Sequence, residues 1–346
     1  MSNRYDAIII GTGIIGGAIG LELARRGSKT LNVDKLPAAG YGSTSNTCAI
    51  IRFHYSTAEG IAMARESYYY WLDWPKYIGT PDESGLAHYI NTGCLVIKNE
   101  ENHFLEHVLP HLDDLKVVYE DLGPKELKDL LPYVDTRQFG PPVLAEDARF
   151  GQPTGEAITG AIYIPESGYI NDPQLACHNQ QRGCEAHGGQ FLFNAEVVEI
   201  LTEEGRAAGI KLADGAEILA PVVVNAAGPH SFKINRMAGV EEGMRIRTRA
   251  LKREVCHVPA PKGLDFNVLG TMISDGDTGS YARPEVGNNL LVGSQDPECD
   301  YQEWVDPDDY DQSFTDQWKT QVMRKAQRIP ALPIPEQQRG VIDLYD

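Results

Sequence analysis

A chain of 346 residues with 42% hydrophobic and 23% charged residues has the make-up of an ordinary globular protein, long enough to bury a large core in two interleaved domains. Its 31 basic residues against 49 acidic ones give a net charge of −18, which argues against nucleic acid or an anionic membrane as partners, since both require a basic footprint. The six cysteines are scattered without C-x-x-C or metal-like spacing and read as buried thiols of a reduced, cytoplasmic protein with no metal.

Tyr5 to Ile10 is a short apolar run of buried-strand type. Gly11-Thr12-Gly13-Ile14-Ile15-Gly16 follows and opens an apolar helical pattern that stops at Gly27, before a second strand over Thr30 to Val33 and then Asp34. The three glycines do different things. Gly11 permits the tight turn, Gly13 lets backbone approach a pyrophosphate, and Gly16 lets helix and strand pack closely. The helix N-terminus offers unpaired N–H groups to phosphate, and Asp34 can accept hydrogen bonds from ribose hydroxyls. Strand, loop, helix, second strand and acid at this spacing define a dinucleotide site, although the motif alone leaves FAD and NAD both open. The apolar stretch Ala7 to Leu21 is broken by five glycines and is no membrane span.

Pro37 to Asn46 reads as a small polar loop and Thr57 to Tyr77 as a helix with an aromatic end. His88 to Ile97 suggests a strand pair, Glu100 to Leu115 a helix interrupted at Pro110, and Pro124 the start of another helix. Histidines 103, 107 and 111 share i, i+4 spacing but belong to a solvated helix face. Asp172 caps a helix that starts at Pro173 and closes at Gly188-Gly189. Strands follow at 191–193, 197–201, 209–212 and 218–224, the last running into Asn225-Ala226-Ala227-Gly228-Pro229. Residues 245–258 and 280–292 are strand-like. Between Asp296 and Asp316 nine acids stand without a Lys or Arg, which reads as a solvated acidic face.

Taken together, the fingerprint, GSTSNTCAIIR (42–52), GYINDPQL (168–175), NAAGPHS (225–231) and YARPEVGNNLLVG (281–293) resemble the FAD-dependent D-amino acid oxidase superfamily, within it the sarcosine oxidase, dimethylglycine dehydrogenase and glycine oxidase branch. The resemblance implies an α/β fold: a Rossmann-type FAD-binding domain (1–84 and 150–242) interleaved with an α+β substrate domain on a mixed or antiparallel sheet (85–149 and 243–336). Residues 337–346 would begin the return to the FAD-binding domain. It assigns Gly11, Gly13, Ile14, Ile15 and Gly16 to the FAD pyrophosphate, and Asp34 with Lys35 to the adenosine ribose. Ser43 and Thr44 would contact phosphate or flavin, Val197 the adenine, and Ala227 and Gly228 the cofactor. Arg52, which ends I-I-R, would grip a substrate carboxylate, a role that suits its planar fork.

Asn46 stands where some relatives carry a histidine bound covalently to FAD, so the resemblance favours non-covalent FAD. Glu285 replaces an arginine of glycine oxidase, which weakens an assignment to glycine or small D-amino acids. The implied reaction is oxidation of a C–N bond in an amino acid or N-methylated amino acid, with dioxygen or another acceptor taking the electrons. His54, Tyr55 and Tyr281 are further catalytic candidates because they lie in or beside the matched motifs. Relatives continue beyond the position of Asp346 with elements that cover the flavin, so a further segment or a partner chain is expected beside 341–345. The alternative is a non-catalytic FAD-binding subunit completed by a partner.

Overall fold

The computed structural model describes residues 4–98 and 103–345. The chain opens with β1 (Ala7–Ile10), α1 (Ile14–Arg25) and β2 (Thr30–Val33), and both strands are buried along their whole length. Then come β3 (Ile50–Ile51), α2 (Ala58–Leu72) and α3 (Trp74–Ile78). The helix expected over 57–77 is thus two. Thr57 caps the first by accepting from the Gly60 amide at 3.2 Å, and Asp73 leaves helical geometry ahead of Pro75.

Next in order are β4 (Tyr89–Asn91), β5 (Cys94–Lys98), α4 (Phe104–Asp114), β6 (Glu120–Leu122) and α5 (Pro124–Leu130). The expected pairing of β4 with β5 is not formed. Gly93, at φ +64°, turns the chain between them, the amides of Thr92 and Gly93 both donate to the Ser167 carbonyl, and the two strands join different sheets. The expected beginning of α4 at Glu100 lies outside the described residues. Pro110 does not interrupt this helix. Leu105, Val108 and Leu112 are buried from one face, and that burial outweighs the roughly 3 kcal/mol an interior proline costs.

The chain continues through β7 (Gly160–Ile164), β8 (Gly168–Ile170), α6 (Pro173–Ala186), β9 (Gln190–Leu192), β10 (Val197–Glu203), β11 (Arg206–Leu212), β12 (Glu217–Leu219) and β13 (Val222–Asn225). Asp172 caps α6 through the Leu175 amide at 2.9 Å, as its sequence position implies. The single strand expected over 218–224 is split at Pro221, which has no N–H to continue a ladder. On either side of it, β12 and β13 enter separate sheets. Last come α7 (Ser231–Met237), β14 (Leu251–Pro259), α8 (Phe266–Leu269), β15 (Met272–Asp275), β16 (Ser280–Glu285), β17 (Asn289–Ser294), α9 (Gln317–Arg328) and β18 (Gly340–Tyr345).

Two sheets organise the molecule. The parallel sheet runs β13-β1-β2-β9, with α1, α3 and α6 on one face and the antiparallel β10-β11-β12 sheet on the other. The second is an eight-stranded mixed sheet, β18-β14-β17-β16-β15-β5-β7-β6, in which β15 and β5 form the parallel pair. One of its faces buries Leu95, Ile97, Ile273 and Val292 beneath α5 and α9, and the other buries Cys94, Val96 and Met272 beneath α2 and α4. A small sheet, β3-β8-β4, lies in between in the chain order. Two details differ from the expected division. β7 and β18 both belong to the eight-stranded sheet, whereas the sequence set them with the nucleotide part.

Among the described residues, no helix is long and apolar enough to cross a membrane. The six cysteines are free thiols. The acidic stretch is not simply solvated. Asp296, Asp300, Asp306 and Asp308 pair with Arg253, Arg324, Lys233 and Lys35, bases that come from four distant segments.

Candidate active site

The nucleotide loop sits at the carboxyl ends of β1, β2 and β13, the crevice where parallel α/β sheets hold ligands. Backbone approach there is close enough to require glycine. Gly11 has φ +101°, and a Cβ on it would lie 2.2 Å from the Ala226 carbonyl oxygen; one on Gly16 would lie 1.9 Å from the Gly11 oxygen. Gly13 occupies the N-cap of α1 with no side-chain cap, so the first turn of that helix presents amides to the crevice. Thr44 Oγ1 accepts from the Ile14 amide at 3.2 Å, which fixes the 42–47 loop over the helix start beside Ile15. Gly228, at φ +52°, follows Ala227 after β13, and a Cβ on it would meet nothing within 4 Å.

Asp34 follows β2 and turns back over the loop. Its Oδ2 accepts from the Thr12 amide and hydroxyl, each at 2.8 Å, and its Oδ1 from the Leu36 amide at 2.9 Å. Val197 opens β10 and is buried. Lys35 pairs with Asp308, and His230 Nε2 lies 2.9 Å from its ammonium. Ser43 Oγ donates to Asp343 Oδ1 at 3.0 Å, and Asn46 Nδ2 to Asp343 Oδ2 at 2.6 Å, so β18 is tied to the same loop. A helix start with glycine at its N-cap, a glycine cradle and a carboxylate at the second strand end together fit a dinucleotide.

Beside this crevice lies a cleft of about 690 Å³, and Arg52, His54 and Tyr281 all line it. β3 delivers the first two. Arg52 Nη1 donates to the His54 carbonyl at 2.9 Å, and its guanidinium rests 4.5 Å from the ring centroid of Tyr55. Among the described residues no carboxylate pairs with Arg52. His54 is only 2% exposed, and its Nδ1 has no hydrogen-bond partner. Burial, reinforced by the Arg52 charge, holds its pKa well below the ordinary imidazole value, so the ring is neutral.

Tyr281 belongs to the floor. Val96, Ser274, Tyr281 and Gly293 are successive register partners across β5, β15, β16 and β17. A Cβ at Gly293 would stand 2.4 Å from the Tyr281 hydroxyl oxygen, so the ring lies across a glycine. From there the hydroxyl reaches Cys48 Sγ at 3.2 Å. Burial pushes the Tyr281 pKa far above its ordinary value, which keeps the hydroxyl protonated as a donor. Tyr345 of β18 closes the same end of the cleft.

Several of these residues were not singled out in the sequence. Cys48 stood inside a matched motif without a role, and Tyr345, Ser274 and Met272 carried no motif at all. Arg283 is another. It donates from Nε to the Cys48 carbonyl at 2.6 Å, pairs with Glu285 at 2.9 Å and stacks over Tyr169.

Comparison with known proteins accords with this geometry. The model of the family FAD dependent oxidoreductase matches residues 6–343. The chain is 27% identical over 301 residues to glycine oxidase of Geobacillus kaustophilus, covering 85% of this chain and 71% of that protein. To sarcosine oxidase subunit beta of Rhodobacter capsulatus it is 24% identical over 308 residues, covering 85% and 64%. Among solved structures, L-proline dehydrogenase of P. horikoshii superposes with a TM-score of 0.78 at 22% identity, covering 100% of this chain and 82% of that one, a likeness of fold. The chain belongs to the family of FAD-dependent oxidoreductases, and its cofactor is FAD.

Proposed function

We propose that the protein oxidises the C–N bond of an amino acid or N-methylated amino acid, with FAD held non-covalently. The observation that carries this reading is Arg52: a guanidinium free of any acidic partner among the described residues, set in the cleft next to the cofactor crevice. A substrate carboxylate there would receive two parallel N–H bonds.

FAD, held by the Gly11–Gly16 loop and the residues around Asp34, would supply a hydride acceptor for the carbon next to nitrogen. The chain's own residues orient that carbon. Arg52 fixes one end of the substrate, and its own position is fixed by the His54 carbonyl and the Tyr55 ring. Such orientation can supply a large part of the barrier reduction. His54 is a hydrogen-bond partner for the amine rather than a base, because its protonated form is strongly disfavoured. Tyr281 supplies a neutral hydroxyl on the floor. Hydrolysis of the imine product by water would give a carbonyl compound and an amine, with dioxygen or another acceptor as the final oxidant. The kinship with glycine oxidase and a sarcosine oxidase subunit supports this substrate class.

The test is anaerobic mixing of purified FAD-loaded protein with a panel of α-amino and N-methyl amino acids, followed by absorbance. Bleaching of the flavin band by at least one member is expected. A flavin that none of them reduces, while dithionite does, would overturn the reading.

A further inference from the structure

The cleft's polar lining is largely satisfied by itself. Gln295 Nε2 donates to Ser274 Oγ at 2.6 Å, and Ser294 Oγ to Asp300 Oδ2 at 2.8 Å. Cys48 and Tyr281 face each other. Asp296, the carboxylate that lines the cleft, is paired to Arg253 at 2.6 Å and has no charge to spare for a cationic substrate side chain. Among the described residues no second cation lines the cleft beside Arg52, since the His54 ring is neutral. The apolar part of the lining is Ile50 from β3, Val96 and Met272 from the sheet, and Phe104 from the first turn of α4. Val96 and Met272 are 4% and 2% exposed and lie on the same face of neighbouring strands, so this wall is fixed by the sheet rather than by a loop.

We infer that the cleft selects a monocarboxylate substrate whose side chain or N-substituent is apolar and fills the Ile50–Val96–Phe104–Met272 wall, against glycine-sized, cationic or dicarboxylic competitors. This rests on the reading that Arg52 holds the carboxylate. A substrate with a second charge would have to bury it against groups that already have partners, and that cost is not recovered. An apolar group, by contrast, gains with every methylene it removes from water.

Non-reacting acids separate this inference from the reaction itself. Acetate, butanoate, hexanoate, phenylacetate and succinate would be titrated into the FAD-loaded protein and followed by perturbation of the flavin absorbance. Affinity should climb by roughly fourfold per methylene until the wall is covered, so hexanoate binds more than tenfold better than acetate, and succinate no better than acetate. Met272→Asn should flatten the series, with FAD content as the check that it has folded; should it not fold, the series in the native protein decides alone. A series without chain-length dependence, or succinate as the tightest ligand, overturns the apolar selection while leaving Arg52 as carboxylate anchor. Should no acid perturb the flavin, the anchor itself falls, and this inference with it.

Discussion

Arg52 and His54 are two positions apart, and their environments separate their roles. Arg52 lines a partly open cleft, whereas burial disfavours a charge on His54. Arg52→Lys removes the planar fork but not the charge. Loss of one charge-assisted contact costs about 1.5–3 kcal/mol, so the affinity for a carboxylate should fall roughly ten- to a hundredfold. FAD binding should hold, because Arg52 contributes nothing to the crevice at β1 and β2. Paired titrations of flavin content and carboxylate binding would show it; equal losses in both would make Arg52 structural.

His54 also leaves a signature in stability. Its folded pKa is depressed below the ordinary value of 6.5, so the unfolded chain binds the proton more readily. Stability from this residue is therefore present above about pH 6.5 and is lost as pH falls below it. His257 is shifted in the same direction, by desolvation first. The melting temperature should drop between pH 7 and 5.5, and His54→Gln should lessen the slope by up to about 1.4 kcal/mol per pH unit. A slope unchanged by the substitution would contradict the assignment.

At the scale of elements, α9 was the least legible. Its buried face carries Gln321, Arg324, Lys325 and Arg328, so no apolar period announces it. The partners explain the burial. Arg328 donates from Nε to Asp275 Oδ2 and from Nη2 to Asp277 Oδ2, each at 2.8 Å, and also reaches the carbonyls of Asp135 and Arg137. One side chain thus pins α9 to β15 and to the segment after α5. Arg328→Met would leave two carboxylates buried, with Lys325 at 3.9 Å from Asp275 as partial compensation. The expected loss is about 3–5 kcal/mol, visible as a lower urea midpoint, and the triple variant with Asp275→Asn and Asp277→Asn should recover much of it. Full stability in the single variant would refute the pinning.

The nucleotide loop, by contrast, was readable because its turn, helix start and acid are neighbours in sequence and each demands a particular residue type. Arg52, His54 and Tyr281 were reachable only through the matched motifs. The floor they share was not. Val96, Ser274 and Gly293 are ordinary strand residues whose meeting depends on register across four strands, and β15, short and ending in the polar pair Ser274 and Asp275, gives no alternation to follow.

Across the whole molecule, the acidic segment after β17 reaches the nucleotide side as a charged clasp. Asp308 meets Lys35, His230 and Lys233, and Lys233 also holds Asp306 at 2.5 Å. These groups are partly exposed, so each pair is worth no more than about 1 kcal/mol and is screened by salt. Asp308→Asn should therefore raise the FAD dissociation constant a few-fold in dilute buffer, with the difference vanishing near 1 M salt. A salt-independent effect would place Asp308 in direct contact with the cofactor instead.

The tight packing of Gly11 against Ala226 has a consequence for synthesis on the ribosome. The phosphate loop is made well before Ala226, and β1 acquires its neighbour β13 only after the strands β5, β6 and β7 of the other sheet have been made. A nascent chain halted before Ala226 has left the exit tunnel holds the glycine motif without the wall behind it. Closure of the cofactor loop then waits for β13, and the glycine motif stays unclosed until the chain as far as Ala226 has followed.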